Sequence, residues 1–167
     1  MFFWFAGLAF LTVVVVFGSA AIDYRLVMLG AVLPTAEHLW GGPWAMHTLL
    51  FAAGAMTVIM VGARGRRLVQ RKWLGFAIGI FLNLVFAGSW RLTSLFWWPG
   101  FGTSLDPDHV PSLPPVGLIV VMELVGLVIL IWAWKRFALA EPARRQKFLT
   151  SGNLDRTLMG ASEPGRC

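Results

Sequence analysis

Long apolar runs separated by short polar clusters dominate the chain, with neither strict alternation nor a one-sided helical stripe. Residues 2–22, 44–63 and 73–89 contain no Asp, Glu, Lys or Arg, and 116–134 contains a single one, Glu123. A helix crosses the hydrocarbon of a bilayer with ~20 apolar residues, in a range of ~17 to 25. The pattern therefore predicts about four transmembrane helices. The apolar stretch 26–36 (LVMLGAVLPTA) is too short to cross, and Pro34 interrupts it. It reads as a short re-entrant or interfacial helix. The first run is retained as a helix rather than a cleaved leader, because it lacks a positive flank and exceeds the ~7 to 15 apolar residues of a signal sequence. Residues 90–115 carry WWPGFG and DPDHVPSLPP, which favour turns and extended backbone. The fold class is thus an all-α membrane protein, with a transmembrane domain over 1–134 and a basic tail over 135–167, the tail forming at most a short helix around EPARRQKFL.

Composition sharpens this picture. Apolar residues make up 57% of the 167 and charged ones 13%, against ~45 to 50% and ~25% in soluble domains. One soluble core cannot hide that excess, so a soluble enzyme and a disordered tail protein are excluded. The single cysteine, Cys167, has no partner for a disulfide within the chain and no prenylation context.

The net charge of +6 invites a nucleic-acid reading, but the placement of the cations opposes it. Five lie between Arg64 and Lys72, and all the others except Arg25 and Arg91 follow Trp134. Each group directly follows an apolar run, which is the positive-inside pattern, with the lipid bilayer as partner and no nucleic acid. The expected location is a bacterial inner membrane, with the chain multi-pass and its C-terminus cytoplasmic. Loops 23–43 and 90–115 then fall outside, and the first helix starts at the cytoplasmic face.

Under that topology His38, His47 and His109 gather near the outer face. Inside the hydrocarbon, His47, Asn83 and Glu123 sit within about two helical turns of one another in depth at ~1.5 Å per residue, and are expected to share a polar pocket, Glu123 bonding His47 or Asn83. A carboxylate at such depth needs a partner and marks a functional site by default. The blander alternatives are a helix-packing Glu123, an interfacial His47 and an Asn83 that glues helices together. Gly75 and Gly79 form a GxxxG, a close-packing face, and the tryptophans at 40, 44, 90, 97 and 98 read as an aromatic belt.

Several segments together, DYRLVMLGAVLP (23–34), EH (37–38), HTLL (47–50), GIFLNLVFAGSW (79–90) and LFWWPGFG (95–102), resemble the bacterial membrane-bound metal-dependent hydrolase-like proteins, especially their actinobacterial branch. The likeness covers roughly residues 1–102. It implies an acidic pair after Leu33-Pro34, a His-Thr/Ser-Leu element matched by His47, and a later His followed four residues on by Asp. It also implies a divalent metal that activates water. In this chain the first acid position is Thr35, Glu37 and His38 stand near the second, and the later His and Asp are Asn83 and Ala87. Leu82, Leu84, Gly88, Trp90 and Pro99 keep the frame. A catalytic set would have to be Glu37, His38 and His47, with Asp23 as a further metal ligand, and none of these spacings has the specificity of HExxH.

Two functions follow. One is a non-catalytic accessory or assembly subunit of a cell-envelope membrane complex, holding no metal and packing on partner subunits. The other is an active metal-dependent hydrolase working at the outer face on a lipid-linked or envelope substrate. The loss of two ligand positions favours the first. A small transporter lacks the repeats and paired broken helices it would need, and there is no Walker loop, GxSxG elbow or nucleotide fingerprint.

Overall fold

A computed structural model of the chain describes residues 1–19, 22–40, 45–100 and 114–155. Every regular element among them is helical: α1 (Phe2–Phe17), α2 (Tyr24–Val32), α3 (Leu49–Gly62), α4 (Arg67–Phe86), α5 (Thr93–Phe96), α6 (Val116–Arg136) and α7 (Pro142–Ser151), with 3-10 turns at Leu33–Trp40, Ala45–His47 and Ser89–Arg91. Two of these, α4 and α6, are long and apolar enough to cross a membrane, and α1 and α3 are shorter apolar helices. The cationic cluster that looks like a loop in sequence is partly helical, since α4 already begins at Arg67.

The order of packing across the bundle is α3, α4, α2, α1, α6. Its centre is the α2–α4 contact, where the GxxxG glycines seat α2. A Cβ on Gly79 would collide with the carbonyl oxygen of Val27, and one on Gly30 would collide with that of Phe76. Gly75 faces the carbonyl oxygen of Asp23 and the Val27 side chain. Backbones come this close only where both helices lack side chains, so α2 is a buried element of the bundle. It remains a short helix of nine residues, as the sequence predicts. The helical path continues through Pro34 into the 3-10 turn ending at Trp40, and at ~1.5 and ~2.0 Å per residue the whole segment spans roughly 30 Å if straight. Proline is tolerated there because the backbone tightens to 3-10 geometry just beyond α2.

Helix directions follow from the same contacts. Gly75 meets Asp23 and Gly79 meets Val27, so α2 and α4 run parallel. On the other flank Gly126 lies against Phe3 and Trp4, while the Phe10 and Phe137 rings sit edge to face at 6.0 Å. Helices α1 and α6 are therefore parallel to each other and opposed to α2 and α4.

One end of the bundle consequently collects the end of α1, the starts of α2 and α4, the end of α6 and the tail. A core of Phe10, Tyr24, Phe137, Leu139 and Leu154 closes it. Asp23 and Arg25 belong to this basic end and not to the opposite end, where residues 23–43 are expected as one loop. The reason is that α2 begins at Tyr24 and carries the chain away from the basic end before the loop starts.

Candidate functional site

At the opposite end, the turn Ala45–His47 and the start of α3 are held by two side chains. The hydroxyl of Thr48 caps α3, accepting from the Phe51 amide at 3.1 Å and donating to the Ala45 carbonyl at 2.7 Å. Glu37, from the 3-10 turn after α2, reaches across to the same segment. Its Oε1 accepts from the Met46 amide at 2.8 Å, and its Oε2 lies 3.0 Å from His47 Nδ1. His47 and Thr48 are both buried. A carboxylate on Nδ1 fixes the ring orientation and selects the tautomer that donates from that atom, the arrangement by which proteins orient metal-binding and basic histidines.

Asn83 is fully buried on α4. Its Nδ2 donates to the Ala31 carbonyl of α2 at 2.6 Å and to Thr35 Oγ1 at 3.2 Å, while its Oδ1 is buried without a hydrogen-bond partner. The two positions where the resemblance implies a carboxylate and an imidazole thus touch each other, but as a hydroxyl and an amide. Ala87 closes α4 and brings only a methyl group.

The remaining residues singled out by sequence lie elsewhere. Asp23 caps α2 at the basic end, accepting from the Arg25 amide at 3.1 Å and from Arg25 Nη2 at 3.0 Å, with Lys72 Nζ 3.8 Å away. It is separated from Glu37 by the whole of α2, so it does not join a common ligand set. The side chain of His38 lies outside what the structure describes, as do Asp106, Asp108, His109 and Cys167.

Glu123 does not bond His47 or Asn83, and the shared pocket expected for the three does not form. Its Oε1 lies 2.8 Å from the Met1 amine, and its two oxygens accept from the amides of Phe2 at 2.6 Å and Phe3 at 2.8 Å. The parallel stagger of α1 and α6 causes this. It sets Glu123 beside the first turn of α1, whose N–H groups have no acceptor within their own helix.

The described members of the expected ligand set do not gather at one place. A metal centre needs at least three protein ligands, and among the described residues no three of His, Cys, Asp and Glu come together. The resemblance leaves Thr35 and Asn83 where it implies a carboxylate and an imidazole, and the Asn83 amide donates to the Thr35 hydroxyl.

The pairing of Arg25 and Lys72 with Asp23 is not legible in the sequence. An acid immediately before an apolar helical run is an N-cap signature, and it points to Asp23 as a structural cap rather than a ligand. No protein-family model, curated protein or solved structure matches the chain.

Proposed function

We propose that the chain is a multi-pass integral membrane protein of the bacterial cell envelope, a degenerate relative of the metal-dependent hydrolase-like proteins that serves as a non-catalytic accessory or assembly subunit. The observation that carries this reading is the neutral Asn83–Thr35 contact, with the Asn83 amide spent on Thr35 and on the Ala31 carbonyl. A hydroxyl and an amide in these positions join helices together and supply no anionic ligand.

The topology belongs to the same proposal. With the basic end in the cytoplasm, α1, α3 and α6 run inward, while α4 and the continuous path of α2 with its 3-10 turn run outward. Counted this way the proposal has five passes, with α4 and α6 the two helices long enough to cross and α1 and α3 shorter apolar helices. Cations gather where the positive-inside rule puts them, and the Glu37–His47 pair lies toward the outer face. Helices α3 and α6 are the two edges of the bundle and leave broad apolar faces, with Val58 at 71% and Val116 at 76% exposure. Those faces meet lipid or the helices of a partner subunit.

The competing reading, an active hydrolase, draws on one feature, the pairing of the buried His47 with the partly buried Glu37 at 3.0 Å. Metal analysis separates the two. Full-length protein purified after growth with zinc, manganese and iron should carry no stoichiometric metal, and His47→Ala should leave the metal content unchanged. A stoichiometric metal that disappears in His47→Ala overturns the accessory reading in favour of the hydrolase.

A further inference from the structure

The basic end is one continuous surface because the tail is fastened to the bundle at several points. Arg25 donates to the carbonyls of Leu149, at 2.5 Å, and Thr150, at 3.3 Å. The Tyr24 amide donates to the Gly152 carbonyl at 3.0 Å. Gly152 adopts a positive φ of 71°, and a Cβ there would run into the Asp23 carboxylate. Beyond it, Leu154 is buried in the core. These links fix α7 beside the starts of α2 and α4.

The exposed groups of that surface are cations with apolar side chains among them. On α7, Arg145 and Lys147 are exposed, and Leu149 beside them is 62% exposed. Arg144 is paired with Glu141 at 3.0 Å. Arg64, Arg66, Arg67 and Arg71 are exposed around the start of α4, where Leu68 is 86% exposed. Asp23 is buried and already faces both Arg25 and Lys72, so it does not offset the exposed cations. Cations mixed with exposed leucines suit the boundary between headgroups and acyl chains, whereas a nucleic acid would leave the leucines in water.

We propose that this end binds the headgroups of anionic phospholipids, with α7 lying in the membrane interface as the main contact. The inference rests on the membrane reading above, and on the charge complementarity between these cations and lipid phosphates. It makes the fastening of the tail depend on lipid composition, because the same helix is held by the bundle through Arg25 and by the bilayer through Arg145 and Lys147.

The test is amide hydrogen exchange of residues 142–151 in full-length protein reconstituted into vesicles of phosphatidylcholine alone or of phosphatidylcholine with phosphatidylglycerol. Each interfacial cation is worth about fivefold in attraction to anionic lipid, so exchange in α7 should slow by at least about that factor when phosphatidylglycerol is present. The slowing should fade at high salt and be lost in the double variant Arg145→Gln, Lys147→Gln, whose side chains are exposed and do not bear on folding. Equal exchange in the two bilayers, or a slowing that survives both substitutions or high salt, overturns this inference alone. A chain that fails to insert into either kind of vesicle overturns the membrane reading as well.

Discussion

Asn83 of α4 donates to Thr35 of the turn after α2, at 3.2 Å, from a fully buried position. With the 2.6 Å bond to the Ala31 carbonyl, it joins the two helices at the heart of the bundle. Interhelical hydrogen bonds in membranes average about 0.6 kcal/mol and reach about 1.7. Asn83→Ala should therefore lower stability by about 1 to 2 kcal/mol, and Thr35→Val by less, since the Ala31 bond survives. Reversible unfolding in mixed micelles measures both. No loss in Asn83→Ala would show that the amide is not structural.

The glycines give a matched comparison. Gly79→Ala would drive a methyl group into the backbone of α2, which cannot move aside as a side chain could. It should separate the two helices and be among the most damaging single changes, costing more than about 3 kcal/mol. Gly54 on α3 has nothing within 4 Å of its would-be Cβ. Gly54→Ala should be neutral or stabilise by up to about 1 kcal/mol through helix propensity. The same unfolding assay ranks the two, and equal effects would contradict the packing of α2 on α4.

Much of this architecture is legible in the sequence, for reasons that also explain what is not. The apolar runs locate α1, α3, α4 and α6 because uninterrupted apolar length is a local property. The packing of α2 against α4 is hidden because it depends on Gly30 meeting Gly79 across two helices, a contact that neither run shows by itself. Glu37 and His47 stand out singly as polar residues beside apolar runs, and their pairing depends on how the turns fold together. The partner of Glu123 is not legible because depth along a single run does not fix how far one helix is shifted against another. The stagger of α1 against α6 is a tertiary fact that no single run contains.

That stagger makes Glu123 a cap for a neighbouring helix. Glu123→Ala should fray the first turn of α1 and cost roughly 0.5 to 2 kcal/mol, the usual worth of an N-cap. Glu123→Gln, which keeps one acceptor oxygen, should lie between it and the native protein. Exchange of the Phe3 amide should accelerate in the order Glu, Gln, Ala. Identical exchange in all three would mean that the carboxylate does not cap α1.

Arg25→Ala removes the donors to Leu149 and Thr150 and leaves Asp23 buried beside Lys72 alone. The tail should loosen without unfolding the bundle. Limited trypsin digestion should cut after Lys147 several-fold faster than in the native protein, while cleavage around Arg64 stays unchanged. Unchanged cleavage at Lys147 would show that Arg25 does not hold the tail, which the Tyr24–Gly152 bond and the buried Leu154 then suffice to fasten.

The placement of Asp23 and His47 at opposite ends of the bundle organises the whole account, and cysteine labelling in intact cells tests it most directly. In a Cys167→Ser background, Ser19→Cys marks the end of α1 and Ala45→Cys marks the turn beside His47. A membrane-impermeant maleimide added to whole cells should label the cysteine at 45 and reach the one at 19 only after lysis. Labelling of the cysteine at 19 from outside, or of both positions alike, would contradict the arrangement.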